Sequence, residues 1–586
     1  MIKILRYLKW KELVMILVIL CVVVAQVYFE LKLPDLMQDI TRNVQTPGSP
    51  MSEIYRSGAL MLLCTLASAL LTLLLGYMSA RISARFGQRL RLAVFNRVED
   101  FSMEEVSRFS TASLITRSTN DVTQLQMFLV IGLQMVLRAP VIAIWALGKI
   151  SAASWRWTAL TGGAVACLLI LILSTMSFAV PRFRKMQWLT DQLNRVAREN
   201  LSGIRVVRAY NAESYQLEKF EKANMDITRN LLEAMRAMSV FPAGMTLINS
   251  GLTLGIYLVG AYLIAGAAGA AAKIAIFGEM IAFSTYAMMI VMAFMMLTIL
   301  FIQLPRVMVS VRRVNEVLDT KPTIVDGTVT SSPEGRAGEI EFKNVSFKYP
   351  DAEEYVLHDI SFTVRQGETV AFIGSTGSGK STLINLVPRF YDVTEGQILI
   401  DGVDVRDYTL EALHNKIGYV PQRALLFTGT VASNIAYGDN GREKPTLEEI
   451  KKACGIAQAD FVEQMEGGYD AHVAQGGTNF SGGQRQRLSI ARAIARKPEI
   501  YIFDDAFSAL DYKTDRALRA ALRREMKGAT CLIVAQRIGT IRDADKIVVL
   551  DEGRLVGIGT HDELMESCPV YQEIAYSQLS KEELGQ

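Results

Sequence analysis

Histidine, tryptophan and cysteine are scarce in this chain of 586 residues, at four, five and six copies. The cysteines are Cys21, Cys64 and Cys167 in apolar stretches and Cys454, Cys531 and Cys568 in a more polar second half. None stands at C-x-x-C spacing and no histidine cluster accompanies them, which excludes zinc, haem and thioredoxin-like readings. Buried apolar thiols in a reducing compartment remain. An excess of one charge is lacking too. A net charge of +3 gives no reason to expect a nucleic-acid binder or an acidic tail. Charged residues make up 21% of the chain and hydrophobic ones 50%. Dividing the length by about 150 suggests about four soluble domains. The apolar residues are too unevenly spread for that. Disorder, a secreted disulfide scaffold and a single soluble enzyme are all excluded.

Six apolar stretches are each long enough to cross a bilayer, whose ~30 Å hydrocarbon core takes about 20 helical residues. They cover approximately Leu13–Leu33, Gly58–Ile82, Phe128–Ile150, Ala159–Val180, Gly244–Ala265 and Gly278–Leu304. Lys3, Arg6, Lys9 and Lys11 before the first stretch mimic a signal peptide. The stretch is long for that role and no small-residue cleavage site follows, so it reads as a membrane helix. The segments Arg81–Met127 and Pro181–Val240 are long and rich in Arg and Lys, whereas the loops after spans one, three and five are shorter. The positive-inside bias therefore predicts a multi-pass protein of the cytoplasmic membrane with both termini, both long loops and the second half cytoplasmic. Helical periodicity continues through the long loops, so they read as hairpins with tips near Ser107–Ser113 and Ala209–Ser214.

Two polar features fall inside spans. Gln134 and Arg138 lie four apart in the third, beside Pro140. A charge at that depth costs at least ~2.5 kcal/mol and faces a bundle interior or a water-filled cavity. Pairing inside the bundle and contact with a substrate both fit. The sixth span carries Met280, Met288, Met289, Met292, Met295 and Met296 with Phe283, Tyr286 and Phe294. Flexible thioethers suit a promiscuous apolar cavity, yet these side chains occupy every side of the helix, and many must face lipid or neighbouring helices.

A Pro/Gly/Ser/Thr-rich stretch between Asp319 and Gly338 reads as a linker. Beyond it, the strand Glu368–Ile373 runs into Gly374-Ser375-Thr376-Gly377-Ser378-Gly379-Lys380-Ser381, a full G-x-x-x-x-G-K-[ST] match, followed by Thr382 and the helix Ser381–Val387. Such glycines let backbone N–H groups curl around phosphate oxygens at a helix N-terminus. Lys380 then reaches the β/γ-phosphates and the Ser381 hydroxyl faces Mg²⁺. A second apolar strand, Ile500–Phe503, ends in Asp504, where a carboxylate would hold Mg²⁺ through water.

Further motifs follow in a fixed order. Phe480-Ser481-Gly482-Gly483-Gln484 resembles the ABC transporter signature. Tyr349 before Pro350 resembles the aromatic residue that stacks on adenine, Gln422 in Val420-Pro421-Gln422 the Q-loop glutamine, and Ser508-Ala509-Leu510-Asp511 the D-loop. The texts Leu114–Val122 and Gly203–Tyr210 resemble the intracellular loops of ABC exporters. The resemblance covers almost the whole chain. It implies an α-helical six-span transmembrane domain over residues 1–320, a linker over 321–338 and an α/β P-loop NTPase nucleotide-binding domain over 339–586. It also implies ATP and Mg²⁺, with Ser381, Gln422 and Asp504 at the metal. In this family ATP is sandwiched between the P-loop of one domain and the signature of another, Ser481, Gly482, Gly483 and Gln484 here. One P-loop and one signature, with no internal repeat, imply a half-transporter that must dimerise.

Three departures from the family pattern stand out. Where the family usually has Glu as the base for the attacking water, this chain has Asp505, one methylene shorter. Gln536 stands in for the switch histidine, and Gln475 for a glutamate often found before the signature. A base placed about 1.5 Å short commonly loses roughly 10²-fold or more. The resemblance is thus to the degenerate-site subunit of heterodimeric multidrug-type exporters. Such a subunit holds ATP, hydrolyses it poorly, and completes the active site of a second, different half-transporter. Export of a hydrophobic or amphipathic small molecule across the lipid membrane follows from it. Alternatives are a homodimer with Asp505 as a slow base, an ATP-gated channel, and an importer on the same scaffold.

Overall fold

The computed structural model describes residues 2–46, 48–153, 155–333 and 335–578. The chain divides into two compact units, Met1–Glu99 with Ala112–Thr320, and Asp100–Thr111 with Lys321–Gln586.

The first unit is built from six helices long and apolar enough to cross a membrane: Trp10–Gln45, Met51–Glu99, Thr111–Ser151, Trp155–Ser202, Glu213–Gly266 and Ala270–Asp319. All six run past the apolar stretches into charged sequence, so Arg81–Glu99 and Pro181–Ser202 continue their spans as helix. The apolar periodicity explains this: Ile82, Phe86, Leu90 and Val94 stay buried along one face beyond the apolar run. The first hairpin tip falls earlier than expected. Its short helix, Met103–Phe109, opens on Ser102, whose hydroxyl accepts from the Glu104 N–H at 3.3 Å while Glu105 returns to the Ser102 N–H at 2.8 Å. The second tip is the short helix Ile204–Ala209 with Asn211 at φ +52°.

The third span is not continuous. Helix Val122–Met135 ends, two residues turn, and helix Arg138–Ala153 resumes. Pro140 accounts for the break, because it has no N–H for the Val136 carbonyl and its ring crowds that oxygen. Arg138 therefore starts a new segment, and its guanidinium pairs with Glu30 of the first helix. Gln134 lies across the break and makes no side-chain hydrogen bond among the described residues. The sixth helix spreads its side chains around the axis. Met280, Phe283 and Tyr286 are buried in the bundle, whereas Met288 and Met292 are exposed.

The second unit contains two sheets. A six-stranded sheet has the order Arg554–Gly559, Lys546–Asp551, Thr369–Gly374, Thr530–Val534, Ile500–Asp504 and Ile417–Val420, parallel except at its Arg554–Gly559 edge. Its inner strands, such as Ile500–Asp504 and Thr530–Val534, are near-continuous apolar runs, as burial on both faces requires. A four-stranded antiparallel sheet orders Leu357–Val364, Ile340–Phe347, Glu395–Ile400 and Val403–Asp404. The Pro/Gly-rich stretch is docked rather than loose. Its Val329 bridges Tyr408, and Ser332 donates to Asp401 Oδ2 at 2.7 Å.

Candidate functional site

Four parallel strands end at one edge of the six-stranded sheet, because Val534 pairs with both Phe372 and Asp504, and Val420 with Phe503. Their exits bring together Gly374, Asp504 with Asp505, Gln536 and Gln422. A crevice beyond the carboxyl ends of parallel strands is where such sheets bind ligands.

The loop Gly374–Lys380 needs its glycines. Gly374 sits at φ +155°, and a Cβ there would lie 2.0 Å from the Leu550 carbonyl oxygen. Gly379 sits at φ +93°, and its Cβ would meet Leu357 Cδ2 at 2.6 Å. Only glycine adopts these conformations in that space. The loop feeds the helix Lys380–Asn385. Lys380 Nζ donates to the carbonyls of Gly374 at 2.9 Å and Ser375 at 2.7 Å and to Ser378 Oγ at 3.2 Å, which fixes the ammonium across the loop. Burial holds its pKa below the ordinary lysine value, against the pull of Asp505 and Asp504.

Ser381 Oγ donates to Asp504 Oδ1 at 2.7 Å. A hydroxyl and a carboxylate at that separation form a hard-oxygen pair suited to Mg²⁺, so these residues fit the metal that the motifs imply. Burial pushes the Asp504 carboxyl up, the neighbouring Asp505 adds to that, and the Ser381 bond opposes it. Asp505 adopts φ +46° and anchors its N–H on the Val534 carbonyl at 3.0 Å. Its Oδ2 accepts from Gln536 Nε2 at 2.9 Å and from Gln422 Nε2 at 3.3 Å. Burial raises its carboxyl, and the bonds from Gln422 and Ser508 work the other way.

Tyr349 stands at the rim, its hydroxyl 3.0 Å from Thr382 Oγ1 and its ring edge-on to Phe347 and Tyr391 at 5.0 and 5.4 Å. Ser375, Thr376, Gly377 and Ser378 complete the loop, with Gly377 at φ +89° and Ser378 buried. The structure does not bring Ser481, Gly482, Gly483 and Gln484 to this loop by any hydrogen bond among the described residues. Ser481 instead caps the helix Gly482–Ala495, accepting from the Gln484 N–H at 3.2 Å while Gln484 Oε1 accepts from the Ser481 N–H at 2.8 Å. Gln475 is exposed in a turn just before it. Two groups escaped sequence reasoning: Tyr391, packed on Tyr349, and Glu30, the partner of Arg138. The second left a signal, an acidic residue one turn after Gln26 in an apolar run.

Two family models match the chain: one described as ABC transporter over residues 357–508, and one described as ABC transporter transmembrane region over residues 13–294. A protein of Mycobacterium tuberculosis described as an uncharacterized ABC transporter ATP-binding protein is 42% identical over 530 residues, 90% of this chain and 89% of the relative. An ATP-dependent lipid A-core flippase of Aromatoleum aromaticum is 34% identical over 507 residues, 86% of this chain and 82% of the flippase. A solved bacterial Atm1-family ABC exporter with ATP bound matches at a TM-score of 0.78 and 26% identity, over 97% of this chain and 99% of that one.

Proposed function

This chain belongs to the ABC transporter family as an exporter-type half-transporter, and from that premise we propose that it exports hydrophobic or amphipathic compounds as the degenerate-site half of a heterodimer. The observation that carries this reading is the doubly bonded Asp505 carboxylate. A general base must hold a free oxygen against the attacking water. Asp505 is a methylene too short, and two amide donors on Oδ2 fix the carboxylate's orientation, leaving only Oδ1 for a water. Gln536, at the switch position, directs one amide N–H at Asp505.

The rest of the site supports retention of nucleotide. Tyr349 offers a ring for adenine, Gly374–Gly379 offer backbone N–H groups for phosphate, and Lys380 supplies charge at the loop. Mg²⁺, held by Ser381 with Asp504 and Gln422, would neutralise phosphate charge. Ser481–Gln484 are pre-formed as a helix cap and free to serve the site of a second chain. The hairpin around Ile204–Ala209 leaves Val206, Tyr210 and Tyr215 exposed, as a surface awaiting a partner does. The Arg- and Lys-rich helical extensions support both termini on the cytoplasmic side. The flippase relatives are named for lipid A-core, an amphiphile, which supports an amphipathic cargo.

Co-purification from native membranes tests the assembly: a second, different half-transporter in equal amount is expected, and recovery of this chain alone as a homodimer refutes it. ATP-dependent accumulation of a hydrophobic dye in inverted vesicles tests the direction. Ion current without accumulation would favour a channel instead.

A further inference from the structure

The first apolar stretch begins at Leu13, and the residues just before it are pinned to the bundle along one side. A short helix, Ile2–Leu5, and a turn lead into the long helix Trp10–Gln45. Ile4, Leu8 and Glu12 recur every four residues, and all three are buried. Glu12 accepts from Arg89 of the second spanning helix at 2.9 and 2.8 Å, and Arg89 Nη1 also donates to the Tyr7 carbonyl at 3.3 Å. Lys3 reaches Asp319, the last residue of the sixth helix, at 2.8 Å.

The other side of the segment is bare. Leu5, Arg6, Lys9, Trp10 and Lys11 are exposed, Trp10 by 77%. Trp10 heads a stripe with Leu13, Val14 and Leu17, at i+3, i+4 and i+7, all exposed on the face that the first span turns away from the bundle. In a membrane span such a stripe faces acyl chains, and an indole at its head sits at the level of the headgroups. The charge does not close there. Lys3 is neutralised by Asp319 and Glu12 by Arg89, whereas Arg6, Lys9 and Lys11 form no ion pair among the described residues. Unspent cations thus flank one exposed indole at the boundary of the bilayer.

We propose that Arg6, Lys9, Trp10 and Lys11 form a docking site for the headgroups of anionic phospholipids in the leaflet where the first span begins. Charge complementarity selects the occupant. A phosphodiester with net negative charge pairs with the free cations, while a zwitterionic head brings its own ammonium to compete for the phosphate. Long side-chain stems let the charges reach the phosphates from beside the apolar stripe, and the indole N–H adds a donor. Because the opposite side is pinned, little backbone ordering is lost on binding. Neither the cargo nor the second half-transporter takes part, and the site is the same whichever side of the membrane that leaflet faces.

The test uses the full chain, as isolated from its membrane, in nanodiscs of equal phosphatidylglycerol and phosphatidylcholine, with bromine on the acyl chains of one lipid at a time. Subtracting the emission of the Trp10→Phe chain isolates Trp10 from the other tryptophans. Brominated phosphatidylglycerol is expected to quench Trp10 about 3-fold more strongly than brominated phosphatidylcholine. Salt at about 0.5 M should shrink that preference. Arg6→Gln with Lys9→Gln and Lys11→Gln should equalise the two lipids, whereas Lys9→Arg with Lys11→Arg keeps the charge and should keep the preference. Lys3 stays in both variants so that its bond to Asp319 still holds the segment. If the neutralised chain fails to fold, the salt dependence of the native chain carries the test. Equal quenching by the two lipids in the native chain, quenching by neither, or a preference that survives neutralisation or salt overturns the proposal.

Discussion

Gln536 Nε2 donates to Asp505 Oδ2 at 2.9 Å, tying the residue at the switch position to the residue at the base position. Both lie at the exits of adjacent parallel strands, and each stands where the family resemblance leads one to expect another residue. The two departures meet in one hydrogen bond, so they act together.

Restoring both residues should therefore restore hydrolysis. Asp505→Glu with Gln536→His is expected to raise ATP turnover of the purified pair about 10-fold or more, while Asp505→Asn changes it less than about 3-fold. The partner's Glu→Gln change at the equivalent position should abolish turnover. Phosphate release from the pair in detergent measures all of these. Loss of turnover in Asp505→Asn equal to that of the partner variant would falsify the asymmetry.

The signature and the P-loop of this chain should separate in their effects. Ser481 would serve the partner's active site, so Ser481→Ala should lower turnover roughly 10²-fold by removing a cap and a phosphate ligand. Lys380→Ala should instead empty this chain's own site, visible as ATP no longer retained through gel filtration, with a smaller drop in turnover. Equal loss of turnover in both variants points to two equivalent sites.

Tyr349 makes two kinds of contact that a pair of variants can tell apart. Tyr349→Phe removes only the bond to Thr382 and should leave ATP affinity within about 2-fold. Tyr349→Ala removes the ring as well and should weaken ATP about 10-fold, as loss of a stacked base does. Nucleotide titration checks this, and equal weakening by both changes rules out a stacking role.

Asp401 links the docked linker to the nucleotide-binding unit and carries a pH signature. It is fully buried and accepts from Ser332 Oγ, the Gly338 and Glu339 N–H groups and Lys416 Nζ, at 2.7, 2.7, 3.0 and 3.0 Å. Burial alone would raise its carboxyl, but the Ser332 and Lys416 bonds and the backbone N–H groups outweigh it and hold it below the ordinary value of 3.8. The folded state then favours the ionised form, so this stabilisation is present above about pH 4 and fades as the pH falls through the depressed value. Asp401→Asn should cost about 3 kcal/mol at pH 7 and flatten the acid limb of the stability profile. Thermal melts from pH 3 to pH 7 read both effects, and an unchanged acid limb rules out this role.

Much of the fold was legible because its signals are local. Six apolar runs, a glycine pattern between a strand and a helix, and a strand ending in aspartate are fixed by neighbouring residues. The helical extensions beyond the bilayer also followed from periodicity. The break in the third span did not, although Pro140 marks it, because proline is often absorbed in membrane helices, as Pro34, Pro181, Pro242 and Pro305 are here. The first hairpin tip was misplaced by a few residues because its start depends on the Ser102–Glu105 cap.

The sequence by itself determined the class of the protein, its two halves, and the glycine-rich loop between a strand and a helix. Those depend on composition and on spacing along the chain. Only the tertiary structure decided that Asp505 shares one oxygen with Gln422 and Gln536, residues 83 and 31 positions away. It alone paired Arg138 with Glu30 across 108 positions and left Gln26 and Arg138 each with a hydrogen-bonding atom unspent. Hydrogen bonds form over about 3 Å of space whatever the distance along the chain, and that is why these relationships appear only once the chain is folded.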